Sequence, residues 1–467
     1  MKIKLTFIAL VFYSAASAQL RLPSLVSSGM VLQQNDSVSL WGWAGPSDKV
    51  YVTTSWDGRK DSAVTSNGAR WKLKVKTPKA GGPYTIEIKS RSKSIILEDV
   101  LIGEVWVCSG QSNMEWSYYQ GLKDIRAELP TCYNKNIRFF HIAKTTADYP
   151  QDDVKARWEI CDSTTIKQFS AVGYFFGKKI NQQLNVPVGL INSSWGGTPA
   201  ETWVPQSKVT SDPILNEAAN KLQTFRWWPT MPGKAYNAMI APLTNYNIAG
   251  ALWYQGESNT GTNSTYEALM KTLINSWRTE WEKDFFFYLV QIAPYKYGNH
   301  NVGALVQEAQ TKLMSHPKTG TVVITDLVDN VNDIHPVNKH DVGLRLANWA
   351  LADTYGLAWV PYRSPQFQSM EVVKGKAVIT TDAPNGLISK DKVITGFFIS
   401  DEKEQWFPAE AKIDGKKITV WSKSVPLPAQ VRFGFGNTII GNVFSKEGLP
   451  LTPFRTDNWA VDQSPVR

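Results

Sequence analysis

The sequence predicts an α/β fold: a mostly parallel sheet covered by helices and flanked at both ends by β-rich, sandwich-like regions. Three observations predict it. Residues 20–100 carry short alternating strands between turn clusters, residues 101–357 alternate strand-like and helix-like segments, and residues 358–467 return to short strands. Alternation of the middle kind is the pattern of a parallel sheet with crossover helices.

In the first region, 38–43, 50–54, 71–75 and 84–88 alternate apolar and polar residues. The clusters GPSD (45–48), SNG (66–68) and AGGP (80–83) separate them, as in a small β-sandwich. In the middle region, 104–108, 137–142, 188–192, 248–254, 285–292 and 321–325 are mostly continuous apolar runs, as strands buried on both faces require. Helical stretches at 169–184, 266–281, 302–314 and 342–355 lie between them. Segment 205–233 is the least regular part and carries Trp227, Trp228, Pro229 and Pro232, so it is expected as a surface excursion near the site. The clearest strands of the third region are 377–381, 394–399, 417–421 and 431–435. The expected domains are therefore 19–100, 101–357 and 358–467.

Residues 1–18 are expected to lie outside the fold. A basic start (MKIK), an apolar run at 5–13 and the small-residue site Ala16-Ser17-Ala18 have the form of a cleaved secretory signal, which places the mature protein in the periplasm or outside the cell. The run is well short of the roughly 20 residues a membrane span needs. Formal charge is +9, or +7 without Lys2 and Lys4, and it is dispersed. A nucleic-acid binder would concentrate it in a stripe, so no nucleic-acid partner is expected. Three cysteines leave at least one thiol unpaired in an exported chain. Cys108 lies in an apolar run and reads as core, while Cys132 and Cys161 are open to pairing. No CxxC or HExxH occurs, so no metal is expected.

Ligands of an open α/β sheet bind beyond the carboxyl ends of its strands. After the first middle strand comes SGQSNM (109–114). Gly110 permits a tight turn that places Ser112 at a helix start, where free N–H groups can stabilise an oxyanion. Ser109 or Ser112 acting only as a helix cap is the bland alternative. After 188–192 comes NSSWGGT (192–198), whose paired Gly196 and Gly197 let backbone amides approach a ligand. After 248–254 comes QGESN (255–259), which supplies side-chain amides. After 321–325 comes DLVDNVNDIHP (326–336). Of the five histidines (141, 300, 316, 335 and 340), His335 alone combines a strand end, a nearby carboxylate and a following helix. Each feature taken singly has a structural explanation. Together they supply a nucleophile, a base and oxyanion donors, which is what serine acyl transfer requires.

These segments resemble the SGNH (GDSL-like) hydrolase superfamily, and within it the sialate O-acetylesterase family. The resemblance is carried by GMVLQ (29–33), WGWA (41–44), VWVCSGQSNM (105–114), SWGGTPAE (194–201), YNAMIAPL (236–243), WYQGESN (253–259), DIHP (333–336), KEGLP (446–450) and PFRTD (453–457). It spans nearly the whole chain after the leader. It implies a flavodoxin-like SGNH core, no cofactor, and hydrolysis of O-acetyl esters on sugars by a secreted serine esterase. The sugar would be sialic acid acetylated at position 9, or alternatively a plant polysaccharide such as acetyl xylan.

By motif, Ser112 is the nucleophile and His335 the base, with an oxyanion hole from Ser112, Gly196 and Gly197. The superfamily often places an Asn in its third block. This chain reads Gln-Gly-Glu there, so Gln255 is taken as the side-chain donor and Glu257 as holding the loop. The superfamily's acid lies three residues before the histidine, where this chain has Asn332. Asp333 is therefore the assigned acid, with Asp326, Asp329 or a Ser–His dyad as alternatives. Gln111, Asn113, Trp195, Trp253 and Glu257 are candidates for contacting the sugar, and Trp116, Trp227 and Trp228 are further aromatic surfaces for it. A carbohydrate-binding protein without catalysis is the reading from another class, and intact Ser112 and His335 argue against it. A cysteine hydrolase using Cys108 is disfavoured, because Cys108 lies inside the strand and not on the turn.

Overall fold

The computed structural model describes residues 19–91, 93–298 and 301–461. The expected leader at 1–18 lies outside the described residues. Among them, six parallel strands and one antiparallel edge strand form the central sheet. Its order is Thr319–Val322, Phe286–Val290, Gly250–Tyr254, Ser94–Gly110, Val188–Ser194, Asn134–His141 and Trp158–Cys161. The chain enters at the centre, lays down the two outer strands of one side, returns to fill the gap with Val188–Ser194, and then crosses to the other side with Gly250–Tyr254. Strand order therefore reverses around Ser94–Gly110, the place where α/β sheets open a crevice for ligands.

Successive side chains of a strand point to opposite faces, and the core divides accordingly. Val105 and Val107 join one apolar cluster with Trp253, Leu273 and Trp277. Trp106 and Cys108 join the other with Phe175, Phe176 and Leu346. Helices Tyr266–Glu280 and Val302–Lys312 cover the first face, and Ala171–Leu184 and Lys339–Trp349 cover the second. Trp106 is fully buried, lies over Tyr288 (ring centroids 5.9 Å), and donates its indole N–H to the Tyr355 hydroxyl at 2.9 Å. Burying a side chain of that size stabilises the sheet by about 3 kcal/mol.

The flanking regions are antiparallel. Lys49–Thr54 pairs with Lys60–Val64 and Gly81–Lys89, and a second sheet pairs Ser37–Trp43 with Arg70–Lys76. The strand Ser94–Gly110 pairs with Gly81–Lys89 in its first half and joins the parallel sheet in its second, so it runs through residue 100 without a break. At the other end, Phe367–Val373, Lys376–Thr381, Lys417–Trp421 and Glu410–Asp414 form one sheet. A second, built on Phe397–Ser400 and Gln430–Phe433, packs with it around Ile379, Ile418 and Phe433. Arg455 ties this region to the core through both oxygens of Glu308 (2.9 and 3.1 Å).

Two local readings are refined. Segment 205–233 is not irregular throughout. It opens with helices Gln206–Thr210 and Pro213–Asn220, the second capped by Asp212, whose carboxylate accepts from Ile214 and Leu215 N–H, with Pro213 at its first position. Cys132 and Cys161 do not pair, and all three cysteines are free and buried. The Cys161 thiol is instead 3.1 Å from the Cys132 carbonyl oxygen, as its donor. Denatured but unreduced protein is therefore expected to yield three titratable thiols per chain. A count of one would establish the disulfide.

Candidate active site

The three central strands end level. Gly110 is in register with Ser194 on one side and Tyr254 on the other. Gly110 has φ +132°, and a Cβ there would fall 2.2 Å from the Tyr254 carbonyl oxygen, so no other residue fits this turn. Gln111 N–H then donates to that same carbonyl at 3.0 Å. The chain turns immediately into the one-turn helix Ser112–Glu115. Ser112 does not cap it: Gln111 is the N-cap and makes no side-chain cap bond. The Ser112 hydroxyl lies 2.9 Å from His335 Nε2 instead.

His335 comes from a long loop that follows Thr319–Val322 and reaches back across the sheet. Its ring stacks on Trp116, with centroids 4.2 Å apart and planes 19° apart. Of the expected acids, Asp326 is engaged by both terminal nitrogens of Arg345 at 2.7 Å each, and Asp329 is exposed. Asp333 accepts the backbone N–H of His335 at 2.9 Å, and the same oxygen stands 3.6 Å from Nδ1, beyond a good hydrogen bond. Asn332, at the superfamily's usual position, is exposed. Burial lowers the His335 pKa below 6.5, the nearby Lys339 charge lowers it further, and Asp333 opposes both. The ring is thus held as a neutral base near pH 7, the state needed to accept a serine proton.

Among the expected oxyanion donors, the N–H groups of Ser112 and Gly197 donate to no acceptor among the described residues. Gly196 N–H is engaged: it donates to Glu115 Oε2 at 2.5 Å, and the other oxygen of Glu115 accepts from Lys144. Gln255 does not face the serine. It is fully buried, and its Nε2 donates to Asn259 Oδ1 (2.7 Å) and the Thr198 carbonyl (3.3 Å). Its Oε1 accepts from Tyr266. The side chain lies on the face of the sheet covered by Tyr266–Glu280, behind the glycine turn that it braces.

Several expected sugar contacts are scaffold. Trp253 is fully buried, edge-on to Trp203 and Trp277. Gln111 Oε1 accepts from the amides of Gly256 and Ser258 (3.4 Å each). Asn113 Nδ2 donates to Glu257 Oε1 (2.6 Å) and the Ile334 carbonyl (3.1 Å). Burial raises the Glu257 pKa, as expected of a carboxyl removed from water. Trp195 does border the site: it is partly exposed, and its indole N–H donates to the Trp227 carbonyl at 3.2 Å. Trp227 itself is 71% exposed. The Trp228 ring lies against Gly197, where an added Cβ would come within 2.4 Å of it. A cavity of about 670 Å³ lies elsewhere, between Trp41, Trp43 and Trp71 and residues 148–152, and none of the Ser112 cluster lines it. Chemistry marks this site.

Sequence reasoning missed Glu115, Lys144, Asn259 and Lys339. Glu115 was within reach, since it lies three residues after Ser112 on the same helical turn. Asn259 links Gln255 to the Ala200 amide (2.9 Å) and to the buried Glu201 carboxylate (2.9 Å). Lys339 follows His335 by four residues and is completely buried, with Nζ donating to Asn113 Oδ1 at 2.5 Å. No local pattern marks a lysine for burial.

A hydroxyl on a neutral imidazole, beside two free amides, is equipped for nucleophilic attack on a carbonyl. The comparisons agree with that chemistry. Residues 102–352 match the family model "Carbohydrate esterase, sialic acid-specific acetylesterase". Sialate O-acetylesterase of Homo sapiens is 28% identical over 435 residues, covering 85% of this chain and 83% of its own length. The protein of that name from Mus musculus is 27% identical over 460 residues, covering 85% of each. The crystal structure of a carbohydrate acetylesterase from Xanthomonas citri superimposes with a TM-score of 0.86 at 33% identity, covering 94% of this chain and 100% of its own.

Two outcomes are expected. Gly110→Ala should lose about 3 kcal/mol or more of stability in urea unfolding, because the methyl meets a carbonyl and the backbone is left-handed. An unchanged midpoint would show that this turn does not need glycine. Labelling of Ser112 by a fluorophosphonate should fall to half its plateau below pH 6.5, the ordinary histidine value, since burial and the neighbouring Lys339 charge depress His335. A midpoint above 6.5 would contradict that environment.

Proposed function

This chain belongs to the sialic acid-specific carbohydrate esterase family, and we propose that it hydrolyses O-acetyl esters on sugars through an acetyl-serine on Ser112, with 9-O-acetylated sialic acid as substrate. The observation that carries the proposal is the 2.9 Å contact between Ser112 Oγ and His335 Nε2 at the level ends of the three central strands. In the first step Oγ bonds to the acetyl carbon while His335 Nε2 takes its proton. The oxyanion is stabilised by Ser112 and Gly197 N–H, and collapse expels the sugar oxygen, which receives the proton from His335. In the second step water attacks the acetyl-serine, again giving its proton to His335. Acetate leaves and Ser112 is regenerated. Asp333 acts on the imidazolium as a nearby charge. Export through the leader read at 1–18 belongs to the same proposal. Among the described residues no helix is long and apolar enough to cross a membrane.

A second reading keeps the chemistry and exchanges the sugar for an acetylated neutral polysaccharide such as xylan. Two observations favour it. The Glu115 carboxylate sits beside the glycine turn, and the exposed Trp227 ring offers a flat face for an uncharged sugar. Lys144, on the other oxygen of Glu115, offsets the first of these for an acidic substrate.

Acetate release from 9-O-acetylated sialic acid and from acetylated xylo-oligosaccharide, each with Ser112→Ala as control, tests the proposal. The substitution is expected to lower kcat by about 10³-fold or more while the protein stays folded. Residual turnover close to the parent's would remove Ser112 as nucleophile. Preference for the xylo-oligosaccharide would replace the sugar and keep the mechanism.

A further inference from the structure

We infer that Lys339 is a positioning residue for this reaction, holding the Ser112 turn and the His335 loop together through the side chain of Asn113. The inference rests on the reading that Ser112 and His335 carry the chemistry. Asn113 follows the nucleophile and Ile334 precedes the base, and the bond from Asn113 Nδ2 to the Ile334 carbonyl (3.1 Å) joins two loops that leave different strands. That bond exists only in one orientation of the amide. Lys339 Nζ donates to Oδ1 (2.5 Å) and Glu257 Oε1 accepts from Nδ2 (2.6 Å). A flipped amide would set its NH₂ against an ammonium and its oxygen against a carboxylate and a carbonyl. With Lys339 as ammonium and Glu257 as carboxylate, every one of those contacts is repulsive. The buried cation on one side and the buried acid on the other therefore select the orientation that closes the staple.

Lys339 also acts on the base directly. Its Nζ lies 5.5 Å from the centre of the Trp116 ring on which His335 stacks, and 5.3 Å from that of Tyr254. The charged groups facing it are Glu257 after the strand Gly250–Tyr254, Asp124 on helix Lys123–Glu128, and Asp333 and His335 on the loop that leads into its own helix. Burial pulls the ammonium down to about 7. Below that pH it is charged, which is the window in which His335 takes up a proton. A cation there disfavours the imidazolium, so the base stays competent to lower pH.

Lys339→Met removes both charge and donor, while Lys339→Gln keeps a donor for Asn113 Oδ1 without the charge. With 4-nitrophenyl acetate as probe, so that sugar identity plays no part, Lys339→Met is expected to lower kcat by about 100-fold with KM nearly unchanged. The acid limb of its kcat/KM profile should move to higher pH. Lys339→Gln should show the same displacement of the limb with a smaller loss of kcat. A folded Lys339→Met protein with the parent's kcat and profile overturns the inference. If neither variant folds, the parent's own profile decides: an acid limb at or above 6.5, the ordinary histidine value, overturns it. Ser112→Ala run in parallel separates the two failures, because activity surviving in that variant sinks the mechanism itself and not the role of Lys339.

Discussion

The contact between Gly110 and the Tyr254 carbonyl governs the rest of the site. Parallel strands at the centre of a buried sheet have no freedom to slide, because each alternate side chain is committed to one of two packed faces. Ser194, Gly110 and Tyr254 are therefore locked side by side, and the three following segments leave the sheet from the same level. Only a residue without Cβ can turn against that carbonyl, and the turn sets Ser112 one residue further on. The Trp195 N–H donates to the Gly110 carbonyl at 3.0 Å, so the glycine turn bearing Gly196 and Gly197 is tied to the same point.

Behind this front the polar groups are joined to one another instead of to solvent. Buried amides and carboxyls are costly unless they are hydrogen-bonded, and here they bond to one another, with Oε2 of Glu257 left without a partner among the described residues. Gln255, Asn259 and Glu201 brace the glycine turn from below, and Asn113, Glu257 and Lys339 brace the serine turn. Residues that look like ligand contacts in the sequence therefore serve as the supports of the few atoms left free. Pre-organisation of that kind matters for acyl transfer, where misplacement of a donor by about 1 Å weakens catalysis by orders of magnitude.

The legible part of the sequence was the part that obeys local rules. Apolar runs with intervening helical periods gave the parallel sheet, and the position of Ser112 and His335 after strand ends placed them at one edge. What escaped was direction and partner choice. Gln255 and Ser112 both follow strands, yet one points behind the sheet and the other into the site, and composition does not tell these apart. Cys132 and Cys161 lie close, but an accepting carbonyl and not a second sulfur meets the thiol. Lys339 was invisible because lysine is almost never fully buried. Its burial follows from loops that meet only in three dimensions.

The histidine is oriented differently from one in a buried triad. Asp333 is about half exposed, and its nearer oxygen already accepts the His335 backbone N–H, an Asx-type turn that shapes the loop. A carboxylate so placed is screened by water and too far from Nδ1 to fix the ring by a hydrogen bond. The ring's plane is set instead by the face of Trp116 and by the bond to Ser112. Stacking fixes tilt but is indifferent to protonation, whereas a triad acid favours the imidazolium. With a weak acid on one side and the Lys339 cation on the other, the balance lies towards the neutral ring. That keeps the ring unprotonated and available before attack and makes the imidazolium a ready proton donor, which suits a reaction in which the same nitrogen must return the proton to the departing sugar oxygen.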